Sequence, residues 1–539
     1  MARLLKNPSV SALRVGVWLI ALGLFIAPLA LVVSLALGGN QIPVLLEQGL
    51  GIATWNSLFT TALSALAAVI IGTVIAIALD RTDVYGSSVL RLFLLSPLLV
   101  PPFIGAIAWI QLFGPNQGLN KLFGFEIWNI YGADGVIALM TIHSFPTAYV
   151  IISSSLRSIS PDFELAARVS GASVMTVLRT VTLPLLRPAL LSAFTLTAIA
   201  NLADFGIPAI IGSPARFETL ATMIYRFIDS GTVSNPLQVV STIGVVLLFL
   251  GIGAVIMDYL TSLKNSSSTH DSGSPARFAL HSARWPVTII MWVCGLAISI
   301  GPILGLAYRA LLPAPGVPFT LETISLANFS SALSNPRVLD GLTNSAFLSI
   351  TAAIICGILG WVIGILVTRT QARGNTLLTL SALLPSALPG LIIGVAWLIA
   401  GRYTGLYNTI WIILIAYVCA FTALVVQSVR APLISTPVTV EEAARISGAT
   451  PLKALFTTTG AMTIPAAISG AVLVAVTAIR ELTISVLLVA PGTTTLGVQV
   501  FNLQQAGNYN QASALALLFA LLGIIALALT IRAPKVRTS

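Results

Sequence analysis

Glu164-Leu-Ala-Ala-Arg-Val-Ser-Gly171-Ala-Ser173 returns 277 residues later as Glu441-Glu442-Ala-Ala-Arg-Ile-Ser-Gly448-Ala-Thr450. Each copy is a short polar island between apolar runs, and each carries the signals that start and stop a helix. Ser160-Pro161 supplies a hydroxyl N-cap and a proline at the first helical position, with Asp162 and Glu164 near the positive end of the helix dipole. Thr439 with Glu442 reads as a capping box. Gly171 and Gly448 suit the left-handed turn that ends a helix, and Ser173 or Thr450-Pro451 suits the start of the next. The pattern predicts a helix, a glycine turn and a second helix, twice.

Outward from these islands the chain is apolar. Of its 539 residues 57% are hydrophobic and 8% charged, and the mean hydropathy is +0.98. That composition excludes a string of soluble domains and predicts an all-α polytopic membrane protein. Runs long enough to cross about 30 Å of hydrocarbon begin near positions 14, 56, 90, 134, 184 and 236, and again near 286, 344, 376, 409, 462 and 511. About 12 transmembrane helices follow, six and six. The first run, Arg14 to Gly38, is too long for a signal-peptide core and lacks a small-residue cleavage site, so it is expected to remain as an anchor.

The two sixes are repeats. At an offset of 288, Asn56-Ser57 falls on Asn344-Ser345, Arg81-Thr82 on Arg369-Thr370, Pro97 on Pro385, Pro101 on Pro389 and Ala108-Trp109 on Ala396-Trp397. The offset drops to 277 at the polar islands because the connection from Gln111 to Gly135 is longer than its counterpart. The first half is read as 1-261, a polar low-complexity tether as 262-284 and the second half as 285-539, with islands at about 160-184 and 436-461. With the N-terminus inside, 20 of the 27 basic residues fall on inner segments. The positive-inside rule therefore places both islands and both termini in the cytoplasm. The formal net charge of +10 is then a topology signal, and no nucleic-acid binding is expected. A DNA-reading helix-turn-helix would need a basic, soluble face.

Within the spans, Pro97, Pro101 and Pro102, with Pro385 and Pro389, predict breaks in the third and ninth helices. The connections Phe205 to Pro236, Ser485 to Gln511 and Pro313 to Leu342 are expected to form short helices at the outer side. Asp204 and Glu481 are equivalent at the 277 offset and lie about one span beyond each island. Intramembrane acids are functional candidates, so Asp204, Glu481 and the adjacent Arg480 are candidates for the substrate route or a gate. The alternative is that both acids lie at the outer interface, with Arg480 partly neutralising Glu481. Cys294, Cys356 and Cys419 have no paired spacing and read as buried small hydrophobes. His143 reads as a packing residue, and His270 and His281 as solvated ones.

The islands resemble the EAA loop of ABC importer permeases, whose signature is Glu-Ala-Ala, three residues, Gly and a later Leu-Pro. The second copy keeps Glu442-Ala443-Ala444 and Gly448, with Gly460-Ala461 in the Leu-Pro place. The first keeps Gly171 and Leu183-Pro184, with Leu165 for the motif glutamate and Glu164 one place early. With Leu-Ala-Asp204-Phe-Gly after the first island and Arg480-Glu481-Leu after the second, nearly the whole chain resembles the fused ferric-iron permeases of that superfamily. The resemblance implies two tandem six-helix halves of the type I permease architecture in a bacterial cytoplasmic (inner) membrane. It implies two copies of a cytoplasmic ABC ATPase and a periplasmic substrate-binding protein as partners, with lipid around the spans. Docking would fall to Glu164, Ala166, Ala167, Arg168 and Gly171 and to Glu441, Glu442, Ala443, Ala444, Arg445 and Gly448, the alanines allowing close approach while Glu164, Glu442, Arg168 and Arg445 pair with the partner.

No Gly-x4-Gly-Lys-Ser/Thr loop occurs. The chain is therefore not expected to be an enzyme or to hold a cofactor; ATP and Mg2+ would sit on the partner ATPase. Ferric ion as cargo is a hard acid that suits oxygen ligands, which makes Asp204 and Glu481 candidates for transient metal contact. Thiamine, aminoethylphosphonate, polyamine and sulfate permeases share the architecture and are alternative substrate classes. A secondary transporter driven by an ion gradient, also built of two six-span halves, is the alternative from another class.

Overall fold

The computed structural model describes residues 8–231, 233, 235–263, 278–314, 316–370, 372 and 374–532. Residues 264–277 of the expected tether 262-284 lie outside them. Among the described residues nine helices are long and apolar enough to cross a membrane: Pro8–Leu37, Leu50–Arg81, Ala133–Ser158, Val174–Ala203, Pro236–Ala254, His281–Ala310, Pro336–Arg369, Ile410–Ser435 and Pro451–Ile479. Among the described residues two bent helix pairs are together long and apolar enough as well, and the apolar helix Tyr509–Leu521 falls on the last expected run. Each apolar run in the sequence thus corresponds to one of these helices.

The prolines act where the sequence places them. Ser87–Leu98 and Pro102–Phe123 meet at 103°, and Asn375–Ser386 and Gly390–Thr404 at 105°. Proline withdraws a backbone donor and holds the preceding residue out of the helical region, so the helix cannot run through. The polar connections also fold as expected, into Leu220–Asp229, Leu496–Gln505 and Ala327–Ser334.

The chain forms two compact units, and they do not follow the repeat boundary. One comprises Met1–Gln48, Ile224–Phe249 and Ser334–Gln499; the other comprises Gly49–Met223, Leu250–Leu333 and Val500–Ser539. In the second-named unit, Leu50–Arg81, Ala133–Ser158 and Leu183–Ala203 pack as a three-helix core. Gly72 lets two of these approach closely, since a Cβ there would lie 2.9 Å from the Tyr149 backbone nitrogen. Arg284–Ala310 joins this unit against Pro102–Phe113 and Tyr509–Arg532.

The other unit repeats the plan with Pro336–Arg369, Ile410–Ser435 and Ala461–Ile479. Gly360, the repeat partner of Gly72, sits where a Cβ would meet Val425 at 2.7 Å. Small residues let helix backbones close up where lipid supplies no hydrophobic drive. Here the added helix is N-terminal: Ala27–Leu37 packs on Gly390–Thr404. The split at 262-284 therefore divides the repeats in sequence but not the packed units, because the first span of each half folds with helices of the other half. Cys356 and Cys419 are buried as expected, whereas Cys294, on an outward position of Arg284–Ala310, is exposed, and all three are free.

Candidate functional site

The two islands fold as helix hairpins. The first runs Pro161–Val169, a turn and Val174–Val177; the second runs Thr439–Ile446, a turn and Pro451–Leu455. Gly171 and Gly448 have φ of +87° and +89°. Around them the Ala172 nitrogen donates to the Ala167 oxygen at 3.1 Å and the Gly171 nitrogen to the Arg168 oxygen at 2.9 Å. The second copy matches, Ala449 to Ala444 at 3.0 Å and Gly448 to Arg445 at 3.1 Å. This pair of reversed bonds satisfies the last carbonyls of a helix and needs a left-handed residue at the turn.

Caps fix the other ends. Ser160 accepts from the Asp162 nitrogen, Ser173 from Thr176 and Thr450 from Lys453. The expected Thr439–Glu442 capping box does not form. Thr439 is already inside the helix, which begins after Val438 without a side-chain cap, because the backbone enters that helix one residue early.

The hairpins present a mixed face. Ala166, Arg168, Gly171, Glu442, Ala443 and Gly448 are exposed, while Ala167, Ala444 and Arg445 are half-buried. Two residues before each glycine stands an apolar side chain that the sequence reading passed over, Val169 at 90% exposure and Ile446 at 88%. Their signal was available, as a β-branched residue at the same register in both polar islands.

Glu164 and Glu441 do the opposite of what was expected. They are 0% and 4% exposed, and each turns beneath its hairpin. Arg81 Nε lies 3.5 Å from Glu164 Oε1, and Arg369 Nε lies 3.2 Å from Glu441 Oε1. Thr182 donates to Glu164 Oε1 at 2.8 Å, and Thr459 to Glu441 Oε1 at 2.5 Å. The pairing expected between Glu164 and a partner protein is thus made inside this chain, and Glu441 is likewise withdrawn from the exposed face.

Asp204 and Glu481 are engaged as caps. Asp204 accepts from the Gly206 nitrogen at 2.9 Å. Glu481 accepts from the Ile484 nitrogen at 2.6 Å, the Ser485 nitrogen at 3.1 Å and the Ser485 hydroxyl at 2.8 Å. Tyr417 completes that set through Ser485 at 2.6 Å. Arg480 does not pair with Glu481, and its buried Nε has no hydrogen-bond partner among the described residues. No group of three or more His, Cys, Asp or Glu side chains suited to hold a metal ion occurs among the described residues.

The profile of the binding-protein-dependent transport system inner membrane component family matches residues 68–263 and 357–533. Each matched segment contains one hairpin. The ferric transport system permease protein FbpB of Actinobacillus pleuropneumoniae is 25% identical over 473 residues, 85% of this chain and 68% of its own length. The Fe(3+)-transport system permease protein FbpB 2 of Haemophilus influenzae is 24% identical over 478 residues, 86% of this chain and 87% of its own. The putrescine transport system permease protein PotI of Escherichia coli K12 is 31% identical over 220 residues, 40% of this chain and 74% of its own.

Proposed function

We propose, from the premise that the chain belongs to the family of binding-protein-dependent transport system inner membrane components, that it is the permease of an ABC importer for ferric iron. The observation that carries this reading is the pair of like hairpins, one in each family-matched segment. Relatives named for ferric transport support the cargo, since their likeness runs over 85% and 86% of this chain, against 40% for the putrescine permease.

In this reading both hairpins and both termini are cytoplasmic, and each hairpin docks into one of two ATPase subunits. Val169 and Ile446 insert as apolar knobs, Ala166 and Ala443 allow close approach, and Arg168, Glu442 and Arg445 pair at the rim, as in other helix-in-groove contacts. ATP binding closes the motor and draws the hairpins together. The bundles then shift between outward-open and inward-open states, and a binding protein on the outer side delivers the cargo. ATP and Mg2+ act on the partner subunits. Asp204 and Glu481 act along the route by holding the short helices that follow them.

Vesicles containing this chain, its ATPase and a ferric-loaded binding protein test the proposal. ATP-dependent uptake of labelled iron is expected. Uptake of putrescine or thiamine in place of iron would move the cargo assignment. Iron accumulation driven by an ion gradient with no ATPase present would replace the whole reading with a secondary transporter.

A further inference from the structure

Beneath each hairpin lies an ion pair that belongs neither to the exposed face nor to the route between the membrane surfaces. Three chain segments converge on one carboxylate. In the first copy these are the end of Leu50–Arg81, the start of Pro161–Val169 and the turn of helix leading into Leu183–Ala203. Arg81, with no exposed surface, also donates from Nη2 to the Leu156 oxygen at 2.8 Å. The second copy reproduces this with Arg369, Glu441 and Thr459, and Arg369 Nη2 donates to the Thr436 oxygen at 2.7 Å.

Stability is a poor account of these pairs. Arg81 Nε and Nη1, Glu164 Oε2 and Arg369 Nε are buried without hydrogen-bond partners among the described residues. An incompletely satisfied buried pair gives up much of its Coulombic gain to desolvation, and apolar side chains of similar size commonly serve a fold as well or better. Breaking such a pair is costly, however, because it strands two charges away from water. A hairpin held this way cannot shift alone. It must carry the end of its long helix with it.

We propose that Arg81–Glu164 and Arg369–Glu441 are transmission links, positioning residues that make each hairpin and its bundle move as one body when the motor closes. This rests on the importer reading above and adds to it where force passes into the membrane helices. Docking uses the outward face of the hairpin, and transmission uses the inward one.

The test uses the full chain with its ATPase and a ferric-loaded binding protein in vesicles, measuring iron uptake and ATP hydrolysis together. The variants are Arg81→Met with Glu164→Gln, and Arg369→Met with Glu441→Gln, which remove both charges at once so that neither is stranded. The ATPase is expected to co-purify and to hydrolyse ATP, while iron moved per ATP falls by about tenfold, a coupling loss of ordinary size. Arg369→Lys, which keeps the cation, is expected to recover most of the ratio. Thr182→Val and Thr459→Val, which leave the charges in place, should lower it less. Unchanged iron per ATP in the charge-free or threonine variants overturns the proposal. So does loss of ATPase co-purification at an unaltered ratio, the mark of a purely structural role. If the unaltered chain moves no iron with ATP, the importer reading fails first and takes this proposal with it.

Discussion

At Gly171 and Gly448 a side chain would meet open space, with nothing within 4 Å of an added Cβ, yet φ is near +90° at both. Within this chain, any intolerance there must come from the backbone, at about 1–2 kcal/mol for a left-handed L-residue. Asn, which visits that region most readily, is therefore expected to preserve ATPase co-purification at either position, and Val to abolish it. Equal loss with both would point to side-chain crowding by the partner. At the knobs, Val169→Asp and Ile446→Asp should weaken co-purification without lowering the amount of folded permease. The glycines, alanines and caps were legible because local helix chemistry writes them into adjacent positions. The inward turn of Glu164 and Glu441 was not, because it depends on Arg81 and Arg369, 83 and 72 residues away. Those arginines did stand out as a repeated Arg-Thr pair, but nothing in a local period joins them to a glutamate in another element. For Asp204 and Glu481, the caps predict that Asp204→Asn and Glu481→Gln keep most transport, since an amide oxygen still accepts from backbone N–H, while alanine costs each element about 1 kcal/mol. Loss with the amides would instead make the charge itself part of the route.

Among whole elements, the segment that emerges from the tether is fastened to the first hairpin's base. The Phe278 nitrogen donates to the Arg81 oxygen at 2.7 Å, and the Arg168 guanidinium lies 5.9 Å from the centre of the Phe278 ring. The Leu280 nitrogen donates to Asp83 Oδ1 at 2.9 Å, and Arg284 pairs with Asp83 at 3.3 Å while covering the Tyr85 ring at 3.5 Å. The Leu280 N–H holds the Asp83 carboxyl below its usual range, with Arg284 adding to the effect. A carboxyl whose folded pKa is depressed contributes stability above its unfolded pKa of about 3.9, and that contribution fades as pH falls through the lower folded value. The Leu280 amide should accordingly keep a constant hydrogen-exchange protection factor from neutrality to about pH 5 and lose it below about pH 4. Asp83→Asn should show the weaker protection already at neutral pH. A protection factor independent of both would detach the segment from Asp83. This fastening escaped the sequence reading because the tether was judged by its composition, and Phe278 and Leu280 gain partners only once the loop after Leu50–Arg81 is folded. The broken third and ninth spans, by contrast, were readable from proline alone.

For the molecule as a whole, the duplication and the count of spans could be read from hydropathy and matched motifs, but the exchange of spans between halves could not. Hydropathy says that a helix crosses the membrane, not which neighbours it chooses there, since lipid and protein interior are equally apolar. The exchange has a direct consequence for the tether. Ala27–Leu37 packs on Gly390–Thr404, and Arg284–Ala310 packs on Pro102–Phe113, so each compact unit is built from chain on both sides of residues 264–277. Covalent continuity across that stretch is then not what holds a unit together. Two polypeptides, 1–263 and 278–539, are expected to co-purify in mild detergent and to restore ATP-dependent uptake when produced together. Either alone lacks helices that its unit requires and should be degraded. If the two pieces separate on purification while each stays folded, every half carries its own complete set of contacts, and the exchanged packing of the first spans is wrong.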